Sequence, residues 1–392
     1  MEKIEMWMIV FLCIFAFLVS FLLFPLVIRY ARAHNIYDNP NVRKLQREPV
    51  PVMGGVAVYF GIISASIAGV FLFRYHILGY VLLAMSIMMI VGLVDDVKDV
   101  PANLRFILEL VIVWLMMILS DNYIDDFHGV WNIGRVSFWW GMPLSIISGV
   151  GIINSINLMD GVDGYSSAFG IIACSILSIP LFVVGEIPMA SFSLICSLAL
   201  LPFFMHNVFG KTSKMFIGDS GTLMMGTALT AVIFRILSSN SPCSILEYSH
   251  NLCLFAFTLS VMSVPVFDTL RVMFARIVNN KSPFEPDKTH LHHLFIEMGF
   301  SHIGTTFTIL SANLFVVFCW WLSWKLNASI SVQLYVVLLM GLFFTCGFYY
   351  FMKYQQKKDS AIYRFACHLG ALSHFERGRI WKWMTSTIDK LG

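Results

Sequence analysis

The chain has 392 residues, of which 58% are hydrophobic and 12% are charged, and its formal net charge is +3. Soluble globular domains carry about 25% charged residues, so this composition excludes a soluble enzyme, a fibrous protein and a disordered chain. It indicates an integral membrane protein with many spans. There is no basic excess of the kind that attracts nucleic acid, so no nucleic-acid partner is expected and the lipid bilayer is the environment.

Eleven apolar segments are candidates for membrane spans, because a helix crosses the bilayer core with about 20 apolar residues. Backbone groups in lipid must be hydrogen-bonded within the segment, so the predicted fold is all-α, a polytopic bundle of about 11 transmembrane helices. The first segment is too long for a cleaved signal peptide and is predicted to be retained. The segments are residues 6–28, 54–73, 77–94, 104–119, 143–156, 165–184, 190–209, 216–237, 252–275, 303–322 and 332–351.

Lysine and arginine residues in the loops predict the orientation of the bundle. With the N-terminus outside, 21 of the 26 Lys and Arg residues fall in the loops of one side and in the C-terminal tail, which is therefore predicted to be cytoplasmic. Residues 1–352 are predicted to form the transmembrane domain, and residues 353–392 a cytoplasmic amphipathic tail. From Ser360 onward the tail reads as an amphipathic helix with Trp381 and Trp383, either lying on the cytoplasmic membrane face or solvated.

Three acids, Asp95, Asp96 and Asp99, stand at the end of the third span at positions i, i+1 and i+4. On a helix Asp95 and Asp99 are neighbours on one face, and carboxylates so close repel each other. A cation would resolve the conflict, and carboxylate oxygens suit Mg²⁺, which is usually shared with substrate phosphates. Solvated charges at a helix end are the alternative interpretation.

A second polar motif occupies residues 154–164, which read NSINLMDGVDG directly after an apolar segment. Its glycines let the backbone approach a ligand closely, and Asp160 and Asp163 alternate with them. Asn154 and Asn157 supply amide donors and acceptors on the preceding turn. Ionisable groups at this depth favour a functional site, and a glycine-flanked turn is the alternative.

Two further motifs stand where spans begin. Asp219 lies in the sequence GDSG at the start of the eighth span, where Asp and Ser are also ordinary helix N-caps. Lys44 and Arg47 precede Gly54 and Gly55 at the start of the second span. They are placed to hold a lipid phosphate at the interface, or they serve only as positive charges of the cytoplasmic side.

A histidine motif follows the ninth span, with Asp287, His290, His292 and His293 inside a basic loop that also follows Arg276. Cationic loops with several imidazoles suit phosphate oxygens, so anion binding is the favoured interpretation. Zinc ligation and a purely structural role are the alternatives, and no cysteine is near to support zinc.

All of these motifs fall on the side predicted to be cytoplasmic, although only Lys and Arg entered that prediction. Their agreement predicts one site with several acids, Mg²⁺ and a cationic loop, which are the parts that phosphoryl transfer to a lipid phosphate requires. An ion-coupled transporter is the alternative, but its charges should be distributed through the depth of the bundle. The remaining histidines, His128 and His302 among them, are expected to be loop or tail residues, and the sequence indicates no partner for any of them.

In this order the motifs resemble those of the polyprenyl-phosphate N-acetylhexosamine-1-phosphate transferases. The resemblance runs from about residue 43 to residue 300 and includes Asn207 and the sequence PVFDT at residues 265–269. The bacterial branch that makes undecaprenyl-pyrophosphoryl N-acetylglucosamine is most similar, because Leu291 separates the histidines and Asp268 stands in PVFDT.

The resemblance implies an enzyme of the bacterial inner membrane whose site faces the cytoplasm, with residues 1–352 as its catalytic domain. It implies transfer of N-acetylglucosamine-1-phosphate from UDP-GlcNAc to undecaprenyl phosphate, with release of UMP, as the first membrane step of a cell-envelope glycan. Mg²⁺ is the implied ion, with Mn²⁺ as an alternative, and a homodimer is compatible with the family. UDP-GalNAc, UDP-QuiNAc and UDP-MurNAc-pentapeptide are alternative donors.

The resemblance also implies roles for single residues. Asp219, with Asp95 or Asp96, would hold the metal ion, and Asp95 or Asp96 would deprotonate or orient the lipid phosphate. Lys44 would hold that phosphate. The residues implied to bind the nucleotide or order the site are Asn154, Asn157, Asp160, Asp163 and Asn207. Those implied to engage the pyrophosphate and the sugar are Arg276, His290, His292 and His293.

Overall fold

A computed structural model of the chain describes residues 3–39, 48–73, 78–98, 100–283 and 287–391. Within these residues the fold is a bundle of sixteen α-helices with one antiparallel pair of two-residue strands, β1 (Tyr37–Asp38) and β2 (Val50–Pro51). The helices are α1 (Lys3–Ala33), α2 (Gly54–Phe73), α3 (Gly79–Lys98), α4 (Ala102–Ser120), α5 (Phe138–Met159), α6 (Tyr165–Val183), α7 (Ile187–Phe209), α8 (Gly218–Leu237), α9 (Ser244–His250), α10 (Leu254–Val278), α11 (Leu291–Glu297), α12 (His302–Lys325), α13 (Ile330–Leu342), α14 (Phe348–Lys357), α15 (Ala361–Leu372) and α16 (Arg379–Leu391).

Ten helices in the described part of the chain are long and apolar enough to cross a membrane. One of them is the continuous run Ile330–Lys357, in which a π-helical segment joins α13 to α14. The pair α9 and α10, bent by 114°, makes an eleventh if it counts as one broken span. The predicted all-α polytopic fold with about 11 spans is therefore confirmed. The orientation of the two termini stays a prediction.

The fifth span is longer than its apolar pattern indicated. The sequence predicted residues 143–156, whereas α5 begins at Phe138 and ends at Met159. Pro143 lies within the helix without ending it. Trp139 and Trp140, ahead of it, are each 77% exposed, as expected for indole rings at a membrane interface.

Helix α8 is the centre of the bundle, and every residue from 220 to 234 in it is buried. Glycines allow two neighbouring helices to approach its N-terminal end closely. A Cβ atom on Gly55 of α2 would lie 2.3 Å from the backbone nitrogen of Gly221, and one on Gly92 of α3 would lie 2.4 Å from the backbone of Asp219. Small residues at such crossings bring backbones together, and here they fix the start of α8 beside the end of α3.

The far end of α8 is held by a second polar network. Asp125 accepts hydrogen bonds from the backbone N–H and the hydroxyl of Ser239, at 2.8 and 2.5 Å. His128 is 6% exposed, and its Nδ1 lies 2.7 Å from Glu247 Oε2. The sequence indicated no partner for His128, because Glu247 stands more than 100 residues further along the chain.

The C-terminal tail forms two helices, α15 and α16, where the sequence predicted one. A short 3₁₀ turn, Phe375–Arg377, and the extended Gly378 separate them. Both helices pack against the bundle, α15 through the buried backbone of Gly370 and α16 through the buried side chain of Ile388.

Candidate active site at one end of the bundle

A cleft of about 1960 Å³ opens where α3 and α5 end and where α6 and α8 begin. Asn154 is not among its lining residues, and Lys44 lies outside the described residues, as does Asp99. The structure brings together eleven of the thirteen residues predicted for the site, namely Asp95, Asp96, Asn157, Asp160, Asp163, Asn207, Asp219, Arg276, His290, His292 and His293.

Asp96 joins the end of α3 to the start of α8. Its Oδ1 accepts a hydrogen bond of 2.7 Å from the backbone N–H of Asp219, and its Oδ2 accepts one of 3.1 Å from that of Ser220. A carboxylate at this position satisfies the free N–H groups at a helix N-terminus and is favoured by the helix dipole. The neighbouring Gly218 has φ +76°, and a Cβ atom there would lie 2.4 Å from Asp96 Oδ2. The GDSG sequence is therefore capped by an acid from another helix.

Arg105 of α4 connects three of the acids. Its guanidinium lies 3.0 Å from Asp95 Oδ2, 3.7 Å from Asp219 Oδ2 and 3.7 Å from Glu109 Oε1. Arg105 is one of the 21 Lys and Arg residues on the side predicted to be cytoplasmic, and the sequence analysis gave it no other role. Glu109 was not among the predicted site residues. An acid inside an apolar helix, such as Glu109, was the signal that could have identified it.

The two asparagines at the start of the polar motif of residues 154–164 have different partners. Asn157 donates hydrogen bonds through Nδ2 to Asp219 Oδ1 and to Thr222 Oγ1, the latter at 2.9 Å. Asn154 donates to Glu109 Oε2 and to the carbonyl oxygen of Val150. Asn157 therefore orients the acid at the cleft, whereas Asn154 holds the buried Glu109 behind it.

The following turn places its two acids in different electrostatic surroundings. Asp160 accepts a hydrogen bond from the Ser166 hydroxyl, but desolvation by the surrounding protein raises its pKa to about 7. Burial alone would also raise the pKa of Asp163, yet that pKa is lowered because His302 Nδ1 and Lys214 Nζ lie 3.0 and 2.6 Å from Asp163 Oδ2. His302, for which the sequence indicated no partner, therefore belongs to the cleft.

Asn207 of α7 links two loops of the cleft. Its Oδ1 accepts a hydrogen bond of 2.7 Å from the backbone N–H of Gly164, and its Nδ2 donates one of 2.9 Å to the carbonyl oxygen of Met215. Both ends of the amide are thus used by the backbone. This arrangement favours the site-ordering role of Asn207.

Asp268 organises the histidine loop from within α10. One of its carboxylate oxygens lies 3.0 Å from His290 Nδ1, and the other accepts a hydrogen bond of 2.6 Å from Arg271. It also accepts from the backbone N–H of Leu291 at the start of α11. The other ring nitrogen of His290, Nε2, is buried without a hydrogen-bond partner among the described residues. That nitrogen is the one available to a ligand.

His292 and His293 do not add to the positive charge of the loop that the sequence predicts to bind an anion. Burial lowers the pKa of His292 well below its usual value, and burial together with His290 and Lys288 lowers that of His293 to about 4. Both side chains are therefore neutral near pH 7. A Cβ atom on Gly161 would lie 2.2 Å from His292 Nε2, so the two motifs touch in the cleft.

Arg276 fixes the shape of the same loop. Its Nε donates a hydrogen bond of 3.0 Å to Asp287 Oδ2, and its Nη1 donates one of 2.6 Å to the carbonyl oxygen of Pro283. Burial alone would raise the pKa of Asp287, but the hydrogen bonds from Arg276 and Thr289 lower it to about 2. Arg276 therefore holds the loop between α10 and α11 through an ion pair and a hydrogen bond to the backbone.

The acids around Arg105 fit a divalent ion by their charge. Three carboxylates share one guanidinium, Asp96 lies beside them, and Glu109 Oε1 is buried without a hydrogen-bond partner among the described residues. Among the residues that the structure describes, no three His, Cys, Asp or Glu side chains are arranged as a complete metal site. An ion here would take its remaining ligands from phosphates and water, as Mg²⁺ usually does.

The C-terminal helix contributes a wall of the cleft that the sequence did not predict. Asp389 Oδ1 accepts hydrogen bonds from three successive backbone N–H groups, those of residues 211–213, at 2.9 to 3.0 Å. Successive N–H groups of this kind form a concave anion site, and here a carboxylate of the chain's own tail binds in it. The residues of α16 that line the cleft are Trp381, Lys382, Thr385 and Ser386.

Comparison with known proteins supports the family resemblance of the motifs. Residues 78–237 match the model of Glycosyl transferase family 4. This stretch contains α3 to α8, which carry the acidic motif, residues 154–164, Asn207 and the GDSG sequence. The resemblance is thereby confirmed over the helices that build most of the cleft.

Curated bacterial proteins are similar over a longer stretch. A Bacillus subtilis (strain 168) protein named "Probable undecaprenyl-phosphate N-acetylglucosaminyl 1-phosphate transferase" is 28% identical over 299 residues, which cover 73% of this chain and 78% of that protein. The Escherichia coli (strain K12) "Undecaprenyl-phosphate alpha-N-acetylglucosaminyl 1-phosphate transferase" is 25% identical over 301 residues, 74% of this chain and 76% of its own. The Salmonella typhi protein of the same name is 26% identical over 276 residues, 68% and 70% of the two chains.

Proposed function

We propose that this chain transfers N-acetylglucosamine-1-phosphate from UDP-GlcNAc to undecaprenyl phosphate, giving undecaprenyl-pyrophosphoryl N-acetylglucosamine and UMP. The observation that carries the proposal is the meeting of eleven separately predicted polar residues in one cleft at an end of the span bundle. A water-soluble nucleotide and a membrane-embedded phosphate can both reach such a place. The names of the similar bacterial proteins supply the lipid acceptor and the sugar.

The reaction that we propose is a substitution at phosphorus. A phosphate oxygen of undecaprenyl phosphate attacks the β-phosphorus of the UDP-sugar, the bond from that phosphorus to the bridging oxygen breaks, and UMP leaves with that oxygen. Such a reaction leaves little covalent chemistry for the protein, whose contribution is positioning and neutralisation of charge.

Mg²⁺, or alternatively Mn²⁺, would neutralise the phosphate oxygens when bound. Asp219 is the residue that we expect to hold the ion, because it lines the cleft and belongs to the excess of carboxylates around Arg105. Asp95 lies beside it, but its two oxygens already accept hydrogen bonds from the backbone N–H of Val100 and from Arg105, so we assign it the placement of Arg105. Asp96 has both carboxylate oxygens hydrogen-bonded to the N-terminus of α8, so we assign it the placement of Asp219.

The chain's other groups complete the site in this proposal. Asp268 holds His290 through Nδ1 and leaves Nε2 for an oxygen of the donor diphosphate. Lys214 and His302 fix Asp163 on the opposite wall. Lys44, which lies outside the described residues, keeps its assignment to the lipid phosphate from the motif alone. The orientation predicted from Lys and Arg would put this site at the cytoplasmic face. The family resemblance implies that the membrane is a bacterial inner membrane.

The purified protein tests the proposal directly. We would incubate it with undecaprenyl phosphate, Mg²⁺ and each of four donors, UDP-GlcNAc, UDP-GalNAc, UDP-QuiNAc and UDP-MurNAc-pentapeptide, and measure UMP and lipid-linked product. The expected result is release of UMP with UDP-GlcNAc, abolished by chelation and restored by Mg²⁺. Turnover of a different donor would correct the sugar, and absence of UMP with all four would refute the enzymatic proposal.

A further inference from the structure

The two tail helices each expose an apolar face to their surroundings. On α15, residues at spacings of three and four form one stripe, in which Phe365 is 61% exposed. On α16, Trp383 is 68% exposed, and Ile380 and Leu391 lie on the same face. The members of the α15 stripe are Ile362, Phe365, Leu369 and Leu372. Exposed apolar faces of this length on two consecutive helices indicate an interaction surface.

The opposite faces of both helices are attached to the bundle, so the direction of the apolar faces is fixed. Ser373, directly after α15, accepts hydrogen bonds of 3.0 and 2.7 Å from the backbone N–H and the hydroxyl of Ser301 at the start of α12. On α16 the ring of Trp381 lies 4.7 Å from that of Phe209, and Asp389 binds the backbone N–H groups of residues 211–213. The helices therefore cannot turn to bury their apolar faces against the chain.

The position of the helices along the chain identifies what covers those faces. The last span ends with α14 at Lys357, and only three residues separate it from the start of α15 at Ala361. The apolar stripe of α15 therefore stands close in sequence to the end of a helix that is long and apolar enough to cross a membrane. Residues 358–391 contain six Lys and Arg and three acids, a balance that suits the anionic headgroups of a membrane surface.

We propose that α15 and α16 lie in the headgroup layer of the leaflet at the cleft end of the bundle, with their apolar faces turned into the acyl boundary. The lipid bilayer itself is the partner. The third face of α16, which carries Lys382 and Ser386, then forms the rim of the cleft at the depth of the lipid phosphates. This last step rests on the proposed function, whereas the placement of the two helices does not.

Depth measurements on the full chain test the placement. The chain would be reconstituted in nanodiscs of phosphatidylethanolamine and phosphatidylglycerol, with the partly exposed Cys319, Cys346 and Cys367 replaced. Nitroxide labels would be attached singly at Trp383→Cys and Leu369→Cys, on the apolar faces, and at the matched Lys382→Cys and Arg364→Cys, on the polar faces. Collision of each label with oxygen and with a water-soluble nickel chelate would be compared.

We expect the labels at 383 and 369 to collide mainly with oxygen, and those at 382 and 364 mainly with the nickel chelate. Collision with the nickel chelate at all four positions would show that the helices project into water and would overturn the proposal. Protection of 383 and 369 from both reagents would also overturn it, because a protein surface would then cover them. Ile380→Cys repeats the measurement if Trp383→Cys does not fold. None of these outcomes depends on transferase activity, so the proposal and the proposed function can fail separately.

Discussion

The carboxylate of Asp96, near the end of α3, accepts a hydrogen bond of 2.7 Å from the backbone N–H of Asp219, the second residue of α8. The two acids had been grouped as metal ligands, but this contact gives them unequal tasks. Asp96 fixes the start of α8, and Asp219 projects from that start into the cleft. Substitution of each acid should therefore have a different consequence.

We predict that Asp219→Asn lowers turnover by at least about 100-fold without lowering Tm, because it removes a charge at the reacting phosphates and keeps the shape of the side chain. Asp96→Asn should lower both turnover and Tm, since one carboxylate oxygen becomes an N–H₂ group facing the N–H of Ser220 or Asp219. Loss of such a helix cap costs about 1 kcal/mol. UMP release and thermal unfolding in detergent measure the two effects.

The exposed Asp359 of the tail, substituted in the same way, is the control and should leave both quantities unchanged. Near-normal turnover of Asp219→Asn would remove Asp219 from the ion site. A normal Tm together with low turnover for Asp96→Asn would instead mean that Asp96 acts on the substrate directly.

The second prediction concerns how Arg105 affects the binding of the ion. Arg105→Ala leaves Asp95, Asp219 and Glu109 without their shared cation, so the pocket becomes more negative. The Mg²⁺ concentration that gives half-maximal rate should fall, while the maximal rate drops by roughly 10–100-fold because the acids lose their positions. Rates measured against Mg²⁺ concentration separate the two effects. Arg135→Ala at the other end of the bundle is the control, and an unchanged half-maximal concentration in Arg105→Ala would place the ion elsewhere.

The spans and the grouping of the motifs could be predicted because each depends on local sequence. An apolar segment of sufficient length is a span wherever it occurs, and Lys and Arg assign its flanking loops to one side. The acids, amides and histidines then fall at one end of the bundle without any knowledge of which helices pack together.

The partners within the site could not be predicted, because they depend on that packing. Glu109 and Asn154 are 45 residues apart, His302 and Asp163 are 139 apart, and Asp389 and Lys211 are 178 apart. The protonation state of His292 could not be predicted for a related reason. The sequence shows a basic loop, whereas the burial that lowers the pKa of this imidazole exists only in the folded protein.

The contact between the two cleft motifs gives a steric prediction. A methyl group on Gly161 would meet His292 Nε2 at 2.2 Å, so Gly161→Ala must displace the imidazole or the loop. We expect KM for the donor to rise by roughly 10-fold or more, because small displacements of positioning groups are costly. In Gly151→Ala on α5, no atom lies within 4 Å of the added methyl group, and this variant should be neutral or slightly stabilising. Equal kinetics of the two variants would contradict a role for this contact.

Asp389 is predicted to position the cleft wall from the tail. Asp389→Ala removes four hydrogen bonds from residues 211–213, all of them to Oδ1. The loop that carries Lys214 should loosen, so we expect KM to rise several-fold with little change in kcat. Asp389→Asn keeps an oxygen acceptor and should recover part of the loss, which a purely electrostatic role would not allow. An equal loss of kcat in both variants would contradict positioning.

The histidine loop should make stability depend on pH. The pKa of His293 is lowered to about 4 in the folded chain, mainly by burial, while an unfolded histidine titrates near 6.5. The unfolded state therefore binds more protons between these values, and the contribution of His293 to stability is present above pH 6.5 and is lost as the pH falls toward 4. Asp160, whose pKa is raised to about 7, changes stability with pH in the opposite direction. The effect of His293 is therefore measured as a difference between the unaltered chain and a variant.

We expect acidification from pH 7 to pH 5 to change Tm less favourably in the unaltered chain than in His293→Gln, by roughly 2–5 °C, because the glutamine side chain cannot take up the proton. His368→Gln, at an exposed position of α15, is the matched control and should respond to pH as the unaltered chain does. Thermal unfolding of the three proteins at both pH values, in the same detergent, gives the comparison. A pH dependence that is identical in all three would show that His293 is already accessible to protons in the folded state and that its burial is not what holds it neutral.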